Sequence, residues 1–458
     1  MLPASNEAAG QMYAFMGYNR PKFGAHRQRC SEELTMSDNH RHGRAASVAA
    51  LSLAVGIACA GEIRVACYSD GNECEVTQDL AKRFEAQNPD IKVVVDKVPY
   101  KAILEQLPVQ LAAGEGPDIA RVTDLGGLSK YYLDITPYVK DPKYWEANFG
   151  QTLPWMRPTP NDKGIYGMMT QLTVTGPYVN KTLFEQANVP LPGPQATWDQ
   201  WADASRKVAK ATQVPFAVAF DRSGHRFAGA AISMGAKYFD AKGNLVIDDG
   251  YKTMAKKLYD WNRDGTMPKE VWGGVGGSTY RDAFEEFANG RVVMYLSGSW
   301  QIRRMDTQIG KNFDWIAVPN PCGPAACTGI PGGAAFVALK RTKNPKDVGR
   351  FLDYLASEPV YAEYMARTEN IPAHAGVAKK GVDYKISPQA KAALNTFVAE
   401  VPKLSPVAYQ IQGYKLNRAV FNPTAARLGQ AIAGEMSLDD ALKRIGADID
   451  EQVKASGK

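Results

Sequence analysis

The strongest constraint on this chain is the alternation of strand-like and helix-like segments between Glu62 and Val122. Glu62 to Ala66 alternates apolar and polar residues as a short strand does, and Val76 to Gln87 places Val76, Leu80, Ala81 and Phe84 on one helical face before Pro89 stops it. Ile91 to Val98 reads as a second strand, Tyr100 to Ala113 is amphipathic, and a Gly116-Pro117 turn leads into an apolar strand from Asp118 to Val122. This β-α-β-α-β order predicts an α/β fold on an open, mostly parallel sheet flanked by helices.

The pattern returns in mid-chain. Thr197 to Gln200 has the form of a capping box, Trp198, Trp201, Ser205 and Val208 continue at helical spacing, and Val214 to Phe220 reads as the next strand. Both tryptophans fall on the helix's inner face and are assigned to a core. Asp249 to Asp264 and Thr279 to Asn289 are amphipathic helices, Gly290 ends the second, and Val292 to Leu296 is an apolar strand. Asn344 is expected to cap a helix with Pro345 at its first position and Val348, Phe351, Leu352 and Leu355 inward; the rest of the chain is largely helical. No flexible Gly/Ser linker divides the halves, so the chain is expected to cross between two α/β lobes several times.

Ala45 to Ala58 is the long apolar run near the amino end, shorter than the roughly 20 residues of a membrane-spanning helix. With Met36, Arg41 and Arg44 before it and Ala58-Cys59-Ala60 after it, residues 36–60 read as a signal peptide cleaved after Ala60, and residues 1–35 as an upstream over-extension. The mature chain is then exported to the periplasm. Lipidation of Cys59 is the rival reading, and Gly56 where a lipobox usually has Leu favours plain cleavage. Of six cysteines, Cys67, Cys74, Cys322 and Cys327 remain, and an oxidising compartment would close them as Cys67–Cys74 and Cys322–Cys327. A four-cysteine zinc site is the alternative, but the first pair is spaced too widely for a zinc knuckle; free thiols are the third reading.

Composition excludes several functions. The chain is 45% hydrophobic and 22% charged, with a net charge of +6 and both signs interleaved, so it lacks the basic stripe that nucleic-acid binding needs. The phosphate-loop G-x-x-x-x-G-K-[ST], the esterase G-x-S-x-G and the zincin H-E-x-x-H are all absent, and the glycine run Gly273 to Gly277 has no lysine to reach a phosphate. Past the leader only His225 and His374 remain, too few for three-histidine zinc catalysis, and no metal or cofactor is expected. Paired carboxylates of a glycosidase stay open on composition.

The stretch Phe287 to Trp300, FANGRVVMYLSGSW, is similar to the F-x-x-G-x-x-A-M-x-x-x-G-x-W motif of bacterial solute-binding proteins of ABC sugar importers, the maltose-binding-protein-like family, with Val293 at the usual small position. Ala112 to Ile119, Gly332-Gly333 with the strand and Asn344-Pro345 helix after it, and Thr368 to Ala373 support the resemblance, Glu369 standing where the family has Gly. It covers nearly all of Gly61 to Lys458. It implies a two-lobed type II periplasmic-binding-protein fold with hinge crossings near residues 172–175, 319–332 and 372. The lobes would comprise residues 61–173 with 328–372, and 174–327 with 373–458.

The same resemblance implies site residues. Trp300 matches the family's stacking tryptophan, and Asp124 follows a strand end where the family places a sugar-binding acid and where α/β sheets present ligand groups. Tyr68, Asp70 and Glu73 lie past the first strand, in a loop that a Cys67–Cys74 bridge would preorganise. Gln171 and Thr173 fall at the first crossing, His225 and Arg226 before a buried helix, and Gly333 where backbone could approach ligand closely. Arg367 and Tyr414 match positions on the far side of the cleft, and Trp272 sits beside the glycine run. The implied protein is a monomer without catalytic function that captures a mono- or oligosaccharide and hands it to the transmembrane permease subunits of an importer. A secreted carbohydrate-active hydrolase with paired carboxylates, and the same fold binding a non-sugar solute, are the competing readings.

Overall fold

Strand β1 (Gly61–Cys67) buries Ile63, Val65 and Cys67, and the helix Glu73–Gln87 buries Val76, Leu80, Ala81 and Phe84 against it, on the spacing that the sequence shows. The computed structural model describes residues 61–274 and 280–456. The expected leader with Cys59, its cleavage after Ala60 and most of the glycine run lie outside the described residues. β2 (Ile91–Lys97) runs parallel to β1 in register from Gly61↔Ile91 to Cys67↔Lys97, and β3 (Ile119–Val122) runs parallel on its other edge. The amphipathic stretch between them breaks into two short helices, Tyr100–Glu105 and Leu107–Ala112, because Pro108 has no N–H to continue the helical ladder.

The central element is β4 (Gly167–Asn180). Its first part pairs antiparallel with β8 (Pro331–Ala338), from Gly167↔Val337 to Val174↔Pro331. From Thr175 onward it pairs instead with β6 (Val292–Gly298) and β7 (Trp315–Ala317), again antiparallel. β5 (Phe216–Phe220) lies parallel on β6, and β8 returns to β3, giving the order β2-β1-β3-β8-β4-β6-β5 with β7 on β4. The sheets are therefore mixed: parallel at β2-β1-β3 and β5-β6, antiparallel wherever a crossing strand joins. Parallel partners need a crossover connection, whereas β4 and β8 enter by returning from the opposite direction.

Two hydrophobic cores flank this shared strand. One gathers residues from Ile63 to Met169 and from Ala334 to Val377; the other gathers Val174 to Ile330 and Ile371 to Ile449, with Leu172 packed against both. In the second, Thr197 and Gln200 form the reciprocal cap of the Trp198–Thr212 helix, whose inner face buries Trp198 and Trp201. Two local readings change. The helix expected over 279–289 is Phe284–Ala288, and Asn344 occupies the N-cap position of the helix Pro345–Ala356 without a side-chain capping bond, its amide donating instead to Glu62 O at 2.9 Å. Glu369, where the family has Gly, ends the helix Glu358–Thr368 in the left-handed region at φ +60°.

Candidate functional site

The loop after β1 is shaped by its own side chains. Cys67 is bonded to Cys74, Ser69 Oγ accepts from Cys74 N at 3.0 Å, and the Glu73 carboxylate accepts from Asp70 N at 3.0 Å and Gly71 N at 2.9 Å. These bonds turn Tyr68 and Asp70 toward a cavity of about 50 Å³ between the two cores. Tyr100, Thr123 and Gln171 join them from the first half of the chain.

The facing wall comes from elsewhere in the chain. His225 and Arg226 lie in the first turn of the helix Gly224–Ser233, and Trp300 follows β6. Thr173, Gly332 and Gly333 line the cavity from the paired strands β4 and β8, where a Cβ on Gly333 would stand 2.2 Å from Gln171 O, so only glycine permits that approach. Tyr280, Gln412, Asn417, Arg418 and Phe421 complete it.

Electrostatics inside the site are set by burial. Arg121 has no exposed surface, donates to Tyr68 O at 2.8 Å and Gln171 Oε1 at 2.6 Å, and faces Asp70 at 3.6 Å and Glu73 at 3.7 Å. Burial raises the Asp70 carboxyl to about 6, Glu73 adding to the effect while Arg121 and Arg226 oppose it. Asp221, wholly buried at the end of β5, accepts from Tyr295 Oη and Ser297 Oγ, both at 2.6 Å, and lies 3.4 Å from Arg226 Nε; burial raises its carboxyl also. His225 Nε2 lies 3.1 Å from Pro331 O and so carries the proton, since a carbonyl only accepts. Burial, with Arg226 adding, holds that imidazole down at about 3, and it is neutral.

Of the residues expected at the site, Tyr68, Asp70, Gln171, Thr173, His225, Arg226, Trp300 and Gly333 line the cavity. Five do not. Glu73 is 2% exposed and ties down the loop behind it. Asp124 accepts from Gly127 N at 3.1 Å and faces an adjoining cleft of about 260 Å³ that shares Arg418, while its neighbour Thr123 takes the lining position. Trp272 is a core residue whose Nε1 donates to Phe220 O at 3.1 Å. Arg367 turns outward to Asp79 at 2.7 Å and Glu363 at 3.0 Å, and Tyr414 packs edge-on against Phe239, 5.2 Å between ring centres. Arg121, Asp221 and Arg418 were missed; Asp221 had a usable signal, an acid directly after a strand.

Among the described residues no group of His, Cys, Asp and Glu could hold a metal ion, and no helix is long and apolar enough to cross a membrane. The four cysteines among the described residues are consumed in Cys67–Cys74 and Cys322–Cys327.

Two α/β halves that share strands and enclose a polar cavity define a cleft-type binding protein of the type II periplasmic fold. The family model for bacterial extracellular solute-binding proteins matches residues 71–362, and the chain belongs to that family. It is 24% identical over 437 residues to a Brucella abortus protein named as a binding protein, covering 90% of this chain and 98% of that one. It is 25% identical over 328 residues to the multiple sugar-binding protein of Streptococcus mutans, covering 66% and 73%. Its fold is similar to that of an ABC substrate-binding protein of Listeria monocytogenes in complex with cycloalternan, with TM-score 0.72, 18% identity, and coverage of 86% of this chain and 99% of that one.

Proposed function

We propose that this protein captures a carbohydrate in the cavity between its halves and delivers it to the transmembrane permease subunits of an ABC importer by hinge closure. The observation that carries the reading is that one cavity is lined by Tyr68 and Asp70 from one side of β4 and by His225, Arg226 and Trp300 from the other. A solute touching both sides favours the closed form by its differential affinity, and closure is what a permease can sense. Moving such a balance from 1:99 to 99:1 takes about 5.5 kcal/mol of differential binding. Aromatic rings mixed with amide, hydroxyl and guanidinium groups suit a hydroxyl-rich ring, and the relatives named for sugars support that solute class. The lobes that close are residues 61–173 with 328–372 and 174–327 with 373–458, and residues 36–60 direct export to the periplasm. No bond is made or broken.

The test is a thermal-unfolding screen against neutral and acidic mono- and oligosaccharides, with mass spectrometry of the recovered sugar. A raised melting temperature with unaltered sugar is expected, about 2.7 kcal/mol of added stability at a hundred times Kd. Cleaved sugar, or a panel without any stabilising member, overturns the reading.

A further inference from the structure

Trp300 offers little of its face to a ligand. It is 7% exposed, a Cβ on Gly298 would stand 2.1 Å from its six-membered ring, and the guanidinium of Arg226 lies over the ring at 4.1 Å from the centroid. Resting on the carbohydrate reading above, we infer that Arg226, held over the Trp300 ring, grips the innermost sugar unit, and that this unit is a neutral ring presenting two adjacent hydroxyls.

Arg226 is 9% exposed and lines the cavity, yet among the described residues it makes one ion pair, Nε to Asp221 at 3.4 Å, and its Nε is buried without a hydrogen-bond partner. A guanidinium carries five N–H groups in a planar fork, and two neighbouring oxygens match that fork. A carboxylate and a vicinal diol both qualify. Charge decides between them. Arg121, Arg226 and Arg418 already face Asp70, Glu73, Asp124 and Asp221, so a ligand carboxylate would add a further negative charge to a buried cluster in which acids outnumber arginines.

The buried acceptors of the lining agree. Asn417 Oδ1 is buried without a hydrogen-bond partner in the same lining as Arg226, and Gln412 Oε1 and the unprotonated Nδ1 of His225, side chains that interact with each other, are further buried acceptors there. All three are acceptors, and hydroxyls donate to them whereas a carboxylate cannot. Asp70, opposite, is a fourth acceptor on the other side of the cleft. Further sugar units would extend past Arg418 into the adjoining cleft.

Calorimetry of the protein with D-glucose, D-galactose, D-xylose, L-arabinose, maltose and lactose, each hexose paired with its uronate, tests the inference. A neutral sugar is expected to bind at least tenfold tighter than the matching uronate. Arg226→Lys, which keeps the charge opposite Asp221 but removes the fork, is expected to weaken that sugar at least tenfold while its unliganded melting curve shows a folded protein. A uronate bound within tenfold of its parent or tighter, or an Arg226→Lys affinity within tenfold of the parent protein or improved by uncovering Trp300, overturns the inference and leaves the carbohydrate reading standing. Absence of binding by every sugar overturns the carbohydrate reading itself.

Discussion

The guanidinium of Arg121 lies 4.2 Å from the centre of the Tyr68 ring while Nη1 donates to the Tyr68 carbonyl, so a single buried cation supports both the ring and the backbone of the same residue. It also faces Asp70 and Glu73. Removing one partner of a buried ionic group leaves the others uncompensated, which costs about 3–5 kcal/mol. Arg121→Met is therefore expected to lower the urea-unfolding free energy by about that amount and to abolish ligand-induced stabilisation. A loss below 1 kcal/mol would show that water reaches Asp70 and Glu73 and that the network contributes little.

Two groups in the cavity give stability opposite dependences on pH. His225 is held at about 3, below its ordinary 6.5, so its contribution is present above pH 6.5 and is lost as pH falls toward 3. Asp70 is raised to about 6 from an ordinary 3.8, so its contribution is full below pH 3.8 and is lost as pH rises through 6. Between pH 6.5 and 4 the histidine lowers stability on acidification and the aspartate raises it. His225→Asn should flatten the fall in unfolding free energy over that range, and Asp70→Asn should steepen it. Denaturant titrations at half-unit intervals would read both, and slope changes of the same sign, relative to the parent protein, in the two variants would reject the assignment.

The two disulfides differ in what they constrain. Cys67–Cys74 encloses Tyr68 and Asp70, whereas Cys322 exchanges backbone hydrogen bonds with Ala196 and Trp198, residues outside the cavity lining. Each short loop is worth about 2 kcal/mol of folding stability. Replacing either pair by serine should cost a similar amount in unfolding free energy, but only Cys67→Ser with Cys74→Ser should also weaken ligand binding, because its loop must then be ordered on binding. Equal affinities for the two double variants by calorimetry would show that the Glu73 and Ser69 hydrogen bonds hold the loop unaided.

Much of this was legible from local pattern. The strand ends placed Tyr68 and Asp70, and the F-x-x-G motif placed Trp300, because such positions are fixed by sheet geometry close in sequence. Arg121 was hidden inside a strand with the burial of a core element, its partners lying 53 residues before it and 50 residues after it. The carboxy-terminal wall was displaced: Tyr414 turns to Phe239, while Gln412 reaches the cavity from the helix Pro406–Gly413, and Asn417 and Arg418 reach it from the start of the helix Arg418–Ala433, whose direction depends on tertiary packing. Arg367 had a visible local partner in Glu363, one helical turn back, which accounts for its outward orientation.

Glu369 combines a backbone cost with a side-chain gain. At φ +60° a residue with a Cβ is strained by about 1 kcal/mol relative to glycine, yet the Glu369 carboxylate, 3% exposed, pairs with Arg303 on the segment after Trp300. Glycine at 369 removes the strain and the ion pair together, whereas alanine removes the ion pair and keeps the strain. Glu369→Ala is accordingly expected to be less stable than Glu369→Gly by about 1 kcal/mol in urea unfolding, and both less stable than the parent if the pair with Arg303 outweighs the strain. Glu369→Gly more stable than the parent would show instead that the ion pair contributes less than the strained backbone costs, and would leave the family's glycine as the better solution for this turn.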